Sequence, residues 1–140
     1  MMSPPSSIAR ALGYAGLIPF VTAAVISHAG LPVSSLALTV LVGYGVAIAS
    51  FLGGIHWGLA FLSEADRPAR FTWGVVPSLL AWGATVLPAS AGLVLLAATL
   101  LLALVVDRRV YPPLGLQAWL PMRLHLTAVA ALSCLVGAMA

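Results

Sequence analysis

The sequence predicts an all-α, polytopic membrane protein: one integral membrane domain over residues 1–140, a bundle of five transmembrane helices with the N-terminus inside and the C-terminus outside. Three observations carry that expectation. The chain is 62% hydrophobic and only 6% charged, whereas a soluble domain has roughly a quarter of its residues charged. One small core cannot hide so much apolar surface, so a bilayer must cover it. The apolar residues fall into long runs separated by Gly and Pro breakers, and every arginine falls on one side of the resulting arrangement.

A span takes about 20 apolar residues at ~1.5 Å rise each. The runs lie at about 10–28, 35–62, 72–88, 91–106 and 119–139. Gly30-Leu31-Pro32 follows the first, Pro68 the second, Pro88 the third and Pro112-Pro113 the fourth. Ser34 or Ser35 suits the N-cap of the second helix, and Ser90 that of the fourth. Arg10 precedes the first span, and Arg67 and Arg70 lie between the second and third. Arg108, Arg109 and Arg123 lie between the fourth and fifth. With five spans all six arginines face one compartment, while the loops near 29–34 and 88–90 carry no charge. The positive-inside rule then puts the N-terminus inside, as in a multi-pass protein of the bacterial inner membrane. Glu64, Asp66 and Asp107 fall on that same inner side, away from the bilayer centre. Arg10, the apolar run from Ala11 to Ile26 and Ser27-His28-Ala29 also imitate a cleavable signal peptide. Pro19 interrupts that run, and a retained first helix accounts for every arginine.

Composition excludes several functions. The net charge of +3 reads as membrane orientation, so no nucleic-acid partner is expected. A single cysteine, Cys134, precludes an intrachain disulfide and any cysteine metal set. No phosphate-binding Gly loop, HExxH, GxSxG or nucleophile–histidine–acid set is present, so no catalytic residue and no metal site is expected. The spans also lack the acidic residues of an ion-coupled pump.

The stretch FLGGIHWGLAF at 51–61 carries the main candidate site. At 3.6 residues per turn His56 shares a face with Gly45, Ala49, Leu52 and Gly53. Ser50, Gly54 and Gly58 form a small-xxx-small ridge on another side, so this helix is expected to be central and packed on two faces. An intramembrane ionisable ring at His56, beside Trp57, is either a binding group or a neutral hydrogen-bonding pin between helices. His125, entering the fifth span from the same side, is the imidazole that could join His56 as a second ligand. Trp73 suits the inner interface, Pro77 should kink the third span, and Trp82 lies deeper and is expected to pack on other spans. Gly16-Leu17-Ile18-Pro19 and Gly74-Val75-Val76-Pro77 are expected to place two Gly-x-x-Pro kinks at similar depth in parallel spans. Asp107, Arg108, Arg109 and Arg123 read as an inner-face anchor or a receiver for an anionic lipid headgroup.

LGYAGLIPF at 12–20, SFLGGIHWGLA at 50–60, WGVVPSLLAW at 73–82, DRR at 107–109 and WLPMRLHLT at 119–127 together resemble the domain of unknown function 3429 family. The resemblance covers nearly the whole chain and is sharpest at GGIHWG. It implies a small multi-pass protein of bacterial inner or mitochondrial membranes and brings no catalytic residues with it. Leu120 stands where an aromatic is expected after Trp119.

Packing glycines without intramembrane charge lead first to a non-enzymatic accessory or assembly partner of a membrane complex, in contact with lipid and with a protein partner or further copies of itself. The alternatives are a haem- or quinone-binding redox protein using His56, and a small-solute transporter working around the two Gly-x-x-Pro stretches. The residues alone name no cofactor.

Overall fold

Proline and glycine set the helix limits. In a computed structural model, which describes residues 3–64 and 66–140, the first apolar run forms two helices, α1 (Ser7–Ala15) and α2 (Ile18–Ser27). Pro19 sits in the first turn of α2, where its missing N–H costs nothing. The chain breaks just before it, at Gly16-Leu17, where the Leu17 N–H donates to the Tyr14 carbonyl in a tightened last turn. The Gly16 carbonyl accepts from the Tyr44 hydroxyl at 2.9 Å, so the break is tied to the next helix. The Gly16-Leu17-Ile18-Pro19 stretch of the first span thus interrupts the helix at Gly16-Leu17, within one stretch, Ser7–Ser27, long and apolar enough to cross a membrane.

The remaining helices are α3 (Ser34–Leu62), α4 (Arg67–Thr85), α5 (Ala89–Val110) and α6 (Leu120–Ala138). Two short 3₁₀ turns, Pro112–Leu114 and Gln117–Trp119, lead into α6. The described residues contain no strand. Ser34 opens α3 rather than capping it from outside. Its hydroxyl accepts from the Leu31 N–H and donates to the Ile26 carbonyl, tying the α2–α3 turn. Pro88 occupies the N-cap position of α5, so Ser90 lies inside that helix.

Among the described residues, four stretches are long and apolar enough to cross a membrane: Ser7–Ser27, Ser34–Leu62, Ala89–Val110 and Gln117–Ala138. Helix α4 is long enough, at 19 residues, but Arg67, Arg70, Pro68 and Pro77 make it less apolar.

Helices α2, α3, α5 and α6 pack in a ring, and α4 lies outside it in the groove between α3 and α5. The core runs through the ring: Phe20, Leu41, Leu93, Leu96, Leu100 and Cys134 are almost completely buried. Phe20 meets Tyr44 edge-to-face with centroids 5.0 Å apart. Helix α4 docks on α3 through glycine, since a Cβ at Gly53 would overlap the Gly74 carbonyl. Pro77, fully buried, packs on the same patch, its Cδ 3.4 Å from that Cβ position. Helix α4 is unbroken through Pro77, unlike the first apolar run at Pro19.

Candidate functional site

Three helices converge on one buried carboxylate. On α3 the face holding Gly45, Ala49, Leu52, Gly53 and His56 is buried, and His56 is 1% exposed. On α5 the sequence Leu96, Leu100, Ala103, Asp107 recurs at helical spacing on the buried face, which carries Asp107 into the protein. Arg108 and Arg109, one and two positions on, rotate outward and are exposed. On α6 Arg123 faces inward, with Thr127 one turn beyond it, and both are buried.

His56 Nε2 lies 2.9 Å from Asp107 Oδ1. Arg123 Nε donates to Asp107 Oδ2 at 2.8 Å. Arg123 Nη2 reaches the same oxygen at 2.7 Å without hydrogen-bond alignment, which leaves it donor capacity. An ionised carboxylate only accepts, so in the His56–Asp107 pair the imidazole proton sits on Nε2. The other ring nitrogen, Nδ1, is buried and has no partner among the described residues. A buried carboxylate held by a guanidinium and an imidazole N–H is the arrangement that makes a buried charge tolerable. The Tyr111 phenol closes one side. Burial and the Asp107 charge push its pKa up to about 12, against an opposing pull from Arg123.

Two spaces meet this network. An apolar cleft of about 620 Å³ lies between α1–α2, α3 and α6, and its lining includes Tyr111, Arg123 and Thr127. The Thr127 hydroxyl has no hydrogen-bond partner. A smaller recess of about 350 Å³ lies among α3, α4 and α5, lined by His56, Arg70, Trp73 and Arg109 among others. Asp107 bridges the two, with Arg123 toward the cleft and His56 toward the recess.

The other sequence candidates separate. Trp57 donates its indole N–H to the Phe71 carbonyl at 3.0 Å and stacks edge-on with Phe61 and Phe71. Trp73 presents its ring edge-to-face to His56 at 6.3 Å between centroids. Trp82, expected against other spans, is 65% exposed. On α3, Gly53 packs closely on the Gly74 backbone and Gly45 on the Leu96 side chain, whereas a Cβ at Gly54 or Gly58 would meet nothing outside its own helix within 4 Å among the described residues. Helix α3 is thus packed by this chain on the His56 face and bare on the Gly54–Gly58 ridge. His125, paired with His56 in the sequence reading, is exposed and lies 3.1 Å from the Tyr14 hydroxyl. His56 instead faces Asp107. His28 Nε2 meets the Val136 carbonyl at 2.8 Å. No group of three metal-ligating side chains occurs among the described residues.

Asp107 and Arg123 leave the expected interfacial anchor to become the centre of the site, while Arg108 stays outside. Arg70, not singled out from sequence, is 6% exposed on the same α4 face as Gly74, Pro77, Ala81 and Ala84. The helical period held both signals. Asp107 continues the Leu96–Leu100–Ala103 stripe, and Arg70 continues the small-residue stripe of α4.

Residues 5–139 match the family described as Protein of unknown function (DUF3429). The chain belongs to that family. Among curated proteins, Transmembrane protein 69 of Xenopus tropicalis is 43% identical over 77 residues, covering 51% of this chain and 29% of that protein. The matched region is thus less than a third of that relative's length. No solved structure matches this DUF3429 protein.

Proposed function

We propose that this DUF3429 protein binds an amphipathic small molecule of the quinone or lipid class. Its apolar body lies in the cleft, and its polar head sits against Arg123 and Thr127. One observation carries the reading: an otherwise apolar cleft contains a buried guanidinium and a hydroxyl with hydrogen-bonding capacity unspent. A cleft of about 620 Å³ falls within the usual range of small-molecule sites, roughly 300–1,000 Å³. A quinone carbonyl or an ester head would accept from Arg123 Nη2 and from the Thr127 hydroxyl. His56 Nε2 is spent on Asp107, so His56 acts on such a head through Asp107 and Arg123, as a positioning residue.

Titrating a short-chain ubiquinone analogue into the detergent-purified chain tests this. Saturable quenching of tryptophan fluorescence is expected, because Trp119 lines the cleft. Thr127→Val keeps the side-chain shape and should weaken binding several-fold. Ile48→Trp, which fills the cleft, should abolish it. Equal binding by all three proteins, or none by the wild type, rejects the reading.

A second reading, the accessory or assembly partner, draws on the bare ridge of α3. Among the described residues, Gly43, Gly54 and Gly58 have nothing beyond their own stretch of helix within 4 Å of an added Cβ, a surface suited to close approach by another membrane helix. Replacing Gly54 and Gly58 by Leu should then dissociate any co-migrating complex on native gels while leaving the isolated chain folded.

The same proposal takes α4 as a fifth span. Its 19 residues reach about 28 Å at ~1.5 Å per residue, and it lies along α3 and α5. With five spans the arginines face the inner side of a bacterial inner membrane, with the C-terminus outside. A retained first helix is supported by its ties to the rest of the chain, from Phe20 in the core to the Tyr14–His125, Tyr44–Gly16 and His28–Val136 contacts.

A further inference from the structure

We infer that the recess among α3, α4 and α5 is a binding site for a phosphate-class oxyanion, separate from the amphiphile cleft on the other side of Asp107. The recess is lined by Arg70, Trp73, His56, Arg109 and Asp66, among others. Arg70 is 6% exposed, forms no ion pair among the described residues, and leaves Nη1 without a hydrogen-bond partner. The indole N–H of Trp73 and Nδ1 of His56 are buried and unpartnered as well.

Charge makes the same demand. Among the described residues the buried arginine and carboxylate side chains are Arg70 and Arg123 against Asp107, and Asp107 is already committed to Arg123 and His56. One guanidinium charge is left over in a desolvated site. At the rim, Asp66 and Arg109 are both exposed to solvent. A guanidinium does not shed its proton, so relief has to come from an anion rather than from neutralisation. A water occupies about 30 Å³ in the liquid, so a recess of about 350 Å³ holds more than one bridging water. Phosphate oxygens match the requirements: planar donors from Arg70, a second guanidinium from Arg109 and a single N–H from Trp73. A protonated phosphate oxygen would also donate to His56 Nδ1. The phosphate can arrive free in solution or as the headgroup of an acidic lipid, and the chemistry is the same.

The test uses the full chain in two settings. In detergent, sodium phosphate is compared with sodium chloride at matched ionic strength. In phosphatidylcholine vesicles, the protein is compared with and without added phosphatidic acid. The readout in both is the thermal unfolding midpoint. A saturable rise in detergent identifies a soluble phosphate, and a rise confined to phosphatidic acid vesicles identifies a headgroup. Either supports the site if Arg70→Gln weakens the effect about tenfold, the scale of one charge-assisted contact, while Arg108→Gln leaves it intact. Should Arg70→Gln fail to fold, Trp73→Phe and Arg109→Gln serve in its place, and each should weaken the effect. No rise in either setting, or a folded Arg70→Gln protein with wild-type response, overturns the inference. Ile48→Trp, which blocks the cleft, should leave the response unchanged, so failure here is distinct from failure of the cleft reading.

Discussion

At the scale of single residues, Asp107 is the keystone, because it holds both a guanidinium and an imidazole away from water. Asp107→Asn should cost about 3–5 kcal/mol, the usual penalty for stranding a buried partner charge. Asp107→Leu combined with Arg123→Met should cost less than Asp107→Asn alone, since no charge is left behind. Chemical denaturation of the three variants in one detergent checks the order. Tyr111 supplies a pH signature. Its phenol is raised from the ordinary 10.0 to about 12, so the folded state holds that proton more tightly than the unfolded chain does. Its contribution is full below pH 10 and is lost as pH climbs toward 12. Tyr111→Phe should flatten that decline in an alkaline melting series. Sequence reasoning found His56 and misjudged its partner. Asp107 adjoins Arg108 and Arg109, and that charge run reads as interface. Only the helical phase, which turns Asp107 inward and its two neighbours outward, separates them.

At the scale of elements, glycine decides how helices meet. Gly53→Ala drives a Cβ into the Gly74 carbonyl, and backbone cannot yield as a flexible side chain does. A destabilisation of about 1–3 kcal/mol is expected from such overpacking. Gly54→Ala and Gly58→Ala meet open space and should stabilise α3 by up to about 1 kcal/mol each through helix propensity. Melting temperatures of the three variants would discriminate, and equal effects would refute the docking geometry. The sequence identified the GG pair and led to an expectation of packing on both sides of α3; within this chain the His56 side is covered, and periodicity alone cannot say which side a neighbour covers. Helix limits were readable from Gly and Pro breakers to within a few residues. The interruption near Gly16 was legible as a Gly-x-x-Pro kink, whereas the Tyr44 hydroxyl that ties it to α3 was not.

At the scale of the whole molecule, the ring of α2, α3, α5 and α6 with α4 outside leaves two spaces on opposite sides of one ion network. Hydrophobicity and breakers made the all-helical membrane class plain, while the meeting of distant residues depends on packing that one sequence does not encode locally. The five-span proposal predicts opposite compartments for the two ends. A periplasm-active reporter fused after Ala140 should be active, and one fused before Ser7 silent. Native mass spectrometry of the gently solubilised protein asks whether the cleft over Arg123 and Thr127 holds the proposed amphiphile. A bound mass of lipid or quinone size is expected on wild type and should disappear in Ile48→Trp. Wild type seen only as the bare chain, in every mild detergent that keeps it folded, would contradict it.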